Sequence, residues 1–150
     1  MAMYKYFISR LPDRASIVRV FATAAFLVYG WTIYSSFWKI PSWIYFLTTG
    51  EIFSVYTYSF VTNFVESVFL TLGLIVIGFF LFDNLWKNSF SAAGVITVVV
   101  MVGAALVHLY LYQDPNLREE FIDSQRIWWT VVVFVAFFLS IICVRVTWLG

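Results

Sequence analysis

The residues best able to do chemistry in this 150-residue chain lie along one apolar run. Ser59, Thr62, Asn63 and Glu66 follow i, i+3, i+4, i+7 spacing, so a helix gathers them on one face. Glu66 is the sharpest of them, because a carboxylate among apolar residues is costly unless it is paired or has a task. His108, the only histidine, stands near the far end of a second apolar run, and Tyr34 lies in a third. If these runs cross a bilayer, Tyr34, Asn63, Glu66 and His108 fall at comparable depth and define a candidate polar pocket. Its chemistry would be that of a proton or cation site, or of a seat for a lipid or quinone headgroup. The competing expectation is structural, with Glu66 hydrogen-bonded to Asn63 or His108 and fixing helix packing. A single Glu within a few turns of the interface favours that structural role.

Other chemistries find little support. One His and one Cys cannot build the usual all-protein zinc site, and paired-His haem ligation is excluded. The chain has no Walker loop, dinucleotide fingerprint or Gly-x-Ser-x-Gly elbow. No catalytic residue, metal ligand or cofactor is therefore assigned. Cys143, beside Ile141 and Ile142, reads as a packed thiol. Glu51 closes the pattern Thr48-Thr49-Gly50-Glu51, a capping box that gives it a structural task. Glu119, Glu120 and Asp123 suit the solvated start of a helix, favoured by its dipole. A net charge of +1 argues against a nucleic-acid partner.

The elements that must position these residues follow from composition. The chain is 63% hydrophobic and 11% charged, against about half and about a quarter in soluble domains, and the excess sits in long runs. This predicts an all-α polytopic membrane protein, a single domain built as a bundle of four transmembrane helices. The spans are expected at about 17–37, 59–82, 90–111 and 127–148. Trp38 to Trp43, with Pro41 inside it, is expected to end the first. The stretch 48–82 is too long for a simple span, so helix 2 is expected to start near Thr49 and to project beyond the outer face. Helix 4 should do the same, with segments 40–58 and 114–126 packing into an aromatic outer cap. Asp83 to Asn88 reads as a tight polar connection. The β-branched run Val95 to Val100 is helical by elimination, since a lone strand in lipid leaves its backbone unpaired. Arg19, Trp38, Lys39, Trp43, Lys87, Trp128 and Arg145 are expected interface anchors. Gly94, Gly103 and the Ala136/Ser140 pair offer small-residue packing surfaces.

Four spans put both termini on one side, with Lys5, Arg10, Arg14, Arg19, Lys87 and Arg145. Lys39, Arg118 and Arg126 lie opposite. The positive-inside rule then places both termini in the cytoplasm of a cell (inner or plasma) membrane. In architecture the chain resembles small multidrug exporters, DoxX-like proteins and quinone-pathway membrane proteins. It departs from the exporters in carrying its membrane Glu in the second span instead of the first, and from thiol-quinone enzymes in lacking a Cys-x-x-Cys pair. The expected function is that of a non-enzymatic accessory subunit or oligomer-forming scaffold of a membrane complex. Its partners are the bilayer and either copies of itself or a larger assembly. The alternative is a small homo-oligomeric transporter or channel, with Glu66 and His108 as proton or cation site.

Overall fold

The computed structural model describes the backbone over residues 11–81, 84–111 and 118–149, and the side chains over 11–79, 89–111 and 124–146. Helix α1 runs Arg14–Phe46, α2 Thr49–Leu81, α3 Asn84–Leu111 and α4 Arg118–Leu149. All four are long and apolar enough to cross a membrane. With 28 to 33 residues each, they reach about 42–50 Å at 1.5 Å per residue, beyond the roughly 30 Å of a hydrocarbon core. The overrun expected of α2 and α4 is thus a property of every helix.

The ends of α1 and α2 show how the chain sets its boundaries. Asp13 caps α1 from an extended conformation (φ −67°, ψ 153°), and its carboxylate accepts the Ser16 amide at 3.3 Å. At the far end Leu47 turns extended while its amide donates to the Trp43 carbonyl at 2.7 Å. Thr48 then opens α2 as one half of the expected capping box. Its amide donates to Glu51 Oε2 at 2.7 Å, and the Glu51 amide donates back to Thr48 Oγ1 at 3.4 Å. From there α2 runs unbroken to Leu81.

Two sequence expectations need correction. Helix α1 does not end within Trp38 to Trp43 but continues through Pro41 to Phe46. Proline removes only its own amide from the ladder, and in a membrane helix neighbouring groups can compensate for the freed carbonyl. The connection expected at Asp83 to Asn88 is also shorter, because α3 already begins at Asn84. Segment 40–58 is accordingly the tail of α1 and the head of α2, joined edge-to-face by Trp43 and Tyr56 at 6.0 Å. Of the expected outer cap, residues 114–117 and the side chains of 118–123 lie outside the described residues.

Helices α1 and α3 form the central pair. Each has one further main neighbour, α2 beside α1 and α4 beside α3, while α2 meets α3 only lightly. Contacts spaced 72 and 74 residues apart (Arg19 with Ser91, Val20 with Gly94) make α1 and α3 parallel. Pairs Thr97–Ser140 and His108–Trp128 make α3 and α4 antiparallel. The start of α1 and the end of α4 therefore lie at the same end of the bundle. The core joins Val20 and Ala24 of α1 to Phe90, Ala93, Val98 and Val102 of α3, with Leu74 of α2. Gly94 lets the central pair close, since a Cβ there would stand 2.7 Å from Val20 Cγ2. On α4 the buried residues are Val132, Ala136 and Ser140, a stripe at i+4 spacing in which two members are small. Large apolar side chains such as Phe26, Phe134 and Phe138 face outward, as a lipid-facing surface requires.

Candidate functional site

Because α2 and α4 flank the central pair without closing on each other, a groove is left between them. All four helices line it, and its volume is about 1120 Å³. On α2 the lining includes Glu66, Leu70, Gly73 and Ile77, which follow i, i+4, i+7, i+11 and so form one helical stripe. On α4 the corresponding stripe is Trp129, Val133, Ala136 and Ser140. The lining is apolar except at a few places; among the described residues Glu66 is its single ionisable carboxyl, and no Lys, Arg or His takes part.

Two polar clasps between neighbouring helices border the groove. At one end Thr32 of α1 and Asn63 of α2 bond reciprocally. Thr32 Oγ1 donates to Asn63 Oδ1 at 3.2 Å and accepts from Asn63 Nδ2 at 2.9 Å. At the other end Thr97 Oγ1 and Ser140 Oγ of α3 and α4 lie 2.7 Å apart. Each of these hydroxyls also reaches a carbonyl of its own helix, Ala93 at 2.8 Å and Ala136 at 2.7 Å. Two hydroxyl protons face three contacts, so whichever hydroxyl donates across the interface gives up the bond to its own carbonyl. Asn63 is buried, and its Oδ1 and one of its two Nδ2 protons are taken up by Thr32. Glu66, one turn further along α2, is exposed on the groove wall and makes no hydrogen bond or ion pair among the described residues.

The four residues expected to share a pocket are divided by this arrangement. Asn63 and Glu66 line the groove, whereas Tyr34 and His108 do not. Tyr34 is exposed on α1 with its ring tilted against Trp31 at 5.8 Å. His108 is buried at 3% exposure between α3 and α4. Its Nε2 lies 3.3 Å from Ser124 Oγ, and its ring stacks on Trp128 at 5.3 Å and 14°. The structure therefore gives no Glu66–His108 hydrogen bond, and Asn63 is bonded to Thr32 and not to Glu66. Helix packing turns the four side chains to different neighbours.

The anchor residues also separate by surroundings. Trp38, Lys39 and Arg145 are exposed. Trp43 packs on Tyr56, while Arg19 makes a long contact to Ser91 Oγ at 3.5 Å. Trp128 packs inward on His108, with its indole N–H buried and unbonded. The Lys87 side chain lies outside the described residues. Sequence reasoning missed Thr32, Trp31, Trp129 and Gly73. The last three carry no chemical signal by themselves, and Thr32 is one hydroxyl among many. No group of three metal-ligating side chains occurs among the described residues. No protein-family model, curated protein or solved structure matches the chain. What fold and site define is a class: the chain is an all-α, multi-pass integral membrane protein with a side groove bearing one carboxylate.

Proposed function

We propose that this chain is a non-enzymatic membrane component, an accessory subunit or oligomer-forming scaffold, with both termini in the cytoplasm of the cell membrane. The observation that carries this reading is the incomplete closure of the bundle. The central pair is packed through small residues, whereas α2 and α4 stand apart and present large apolar faces outward. Such faces suit association with further helices in the plane of the bilayer. Native mass spectrometry of protein extracted in mild detergent tests it. A defined heteromer or homo-oligomer is the expected result, and a monomer alone would overturn the proposal. The orientation is tested by adding a membrane-impermeant thiol reagent from outside, which should label Lys39→Cys and spare Arg14→Cys.

A second reading is favoured by the unpartnered carboxylate. In it a homo-oligomer of this chain transports a proton or cation with Glu66 as the site. The hydrogen bond and stacking of His108 within α3 and α4 leave Glu66 to act without it. Flux into proteoliposomes that is abolished by Glu66→Gln supports this reading, and unchanged flux with intact assembly removes it.

A further inference from the structure

We infer that α1 carries a self-association seam whose occupant is the α1 of a second copy of this chain, packed parallel across a two-fold axis normal to the membrane. This rests on the reading of the protein as an oligomer-forming component and names the partner and the surface. The first observation is a repeat. Phe26, Gly30, Ile33, Phe37, Ile40 and Ile44 follow at alternating steps of four and three residues, the 3.5-residue period of a left-handed helix pair. All but Ile40 are exposed. Tyr29 and Thr32 turn to α2, and Val20 and Ala24 join the core with α3. At about 100° per residue, the seam occupies the third of α1 that neither α2 nor α3 covers.

The second observation is length. Arg19 meets Ser91 of α3, and the Thr97–Ser140 pair, carried on along both helices, brings Arg145 of α4 to the same level. The His108–Trp128 stack sets Arg126 level with the end of α3, and the parallel register of α1 and α3 carries that level to Phe37–Lys39. Arg19 and Lys39 therefore stand in two cationic belts about 30 Å apart, the thickness of a hydrocarbon core. The outward face of α4, with Ile127, Phe134 and Ile142, falls between these belts, where lipid covers it. Helix α1 instead runs about 10 Å past Lys39 to Phe46, and Tyr45 and Phe46 there are 85% and 83% exposed. Acyl chains do not reach this overhang, so it calls for a protein that projects equally far. A second copy does so by symmetry, since the two-fold axis sets each residue at its own depth and meets one overhang with another of equal length. The self-contact buries no like charges, because α1 has none between Arg19 and Lys39. Gly30 lies midway between the belts, and a Cβ there meets nothing within 4 Å in its own chain, which leaves the position open to a close helix approach.

The test places single cysteines in the full chain, in a Cys143→Ser background, reconstituted in phosphatidylcholine vesicles. Oxidation should give disulfide-linked dimers that peak at Phe26→Cys, Gly30→Cys, Ile33→Cys and Phe37→Cys. Yield should fall at Val28→Cys, which faces the groove, and Phe134→Cys on α4 should stay monomeric. Two further variants are read as dimer affinity by single-molecule photobleaching at rising lipid dilution. Gly30→Leu should weaken it roughly ten- to a hundredfold, the cost of overpacking a close contact, while unfolding of the monomer in dodecyl sulfate stays unchanged. Ile44→Lys should weaken it as well by setting two like charges across the seam, whereas an overhang covered by headgroups or solvent would tolerate the charge. Undiminished dimerisation in either variant, or cross-linking without the 3.5-residue period, would overturn the inference. A defined heteromer with no homodimer overturns it too and leaves the accessory-subunit reading standing, whereas a monomer alone removes both.

Discussion

The contact of Gly94 with Val20 makes a prediction whose sign can be reversed at will. A Cβ on residue 94 would meet Val20 Cγ2 at 2.7 Å, about 0.7 Å short of the 3.4 Å at which ordinary contact begins. Val20 is fully buried in the core between α1 and α3. Being β-branched, it has one strongly preferred rotamer in a helix and cannot swing aside cheaply. Relief must come from parting the central pair, and overpacking of this kind costs about 1–3 kcal/mol. Alanine recovers up to about 1 kcal/mol through its better helix propensity. Gly94→Ala should therefore destabilise the protein by up to about 2 kcal/mol. In a Val20→Ala background the obstructing methyl groups are gone and only the propensity term is left, so the same change should be neutral or stabilising by up to about 1 kcal/mol. The coupling energy of the cycle is then about 2 kcal/mol, well above the few tenths expected of independent sites. Reversible unfolding in mixed micelles of rising dodecyl sulfate fraction, followed by tryptophan fluorescence, measures all four proteins. Equal effects of Gly94→Ala in both backgrounds would show that α1 and α3 do not meet there.

Three further outcomes follow. The Asp13 carboxyl is held below the ordinary carboxylate range by its hydrogen bonds from Ser16. Capping of α1 is thus full above about pH 4, the unfolded value, and is lost as pH falls through the lower folded value; protection of the amides of residues 14–17 relative to their intrinsic exchange rates should fall in acid, and Asp13→Asn should flatten that dependence. A double-mutant cycle on Thr32→Val and Asn63→Leu should give a coupling of about 0.6–1.7 kcal/mol, the range of interhelical hydrogen bonds in membranes, and a value of zero would dissolve the clasp. Glu66→Gln and His108→Leu should be additive within about 0.5 kcal/mol, because the two side chains belong to different contacts; a larger coupling in the same unfolding assay would return them to one pocket.

How much of this was legible in advance depends on which coordinate is asked for. Position along the membrane normal can be counted from a sequence, because apolar runs must be helices in lipid and each residue adds a fixed rise. Four helices and the start of α2 at the Thr48–Glu51 box were readable for that reason. Direction around a helix axis relative to neighbours is different. It depends on which helices pair, and α1 chose α3 as well as α2 because Gly94 allows a close approach to Val20. That choice turned His108 toward α4 and left Glu66 on an open wall. Pro41 misled for a local reason, since it removes one ladder bond but does not by itself end a helix already longer than the span.

The two-residue link at Leu47 and Thr48 bears on how the chain enters a bilayer at all. Helices α1 and α2 form a hairpin that carries its own polar pairing, Thr32 with Asn63 and Tyr29 Oη to the Phe60 carbonyl at 2.8 Å. A nascent hairpin of that kind can leave the insertion machinery as one unit, since these groups need no later segment to satisfy them. The second hairpin has its own internal clasp in Thr97 and Ser140. Only the seam between Val20 and Gly94 must wait until both halves are in place. Such an arrangement suits two separate insertions followed by one docking step, with Gly94 at the docking contact.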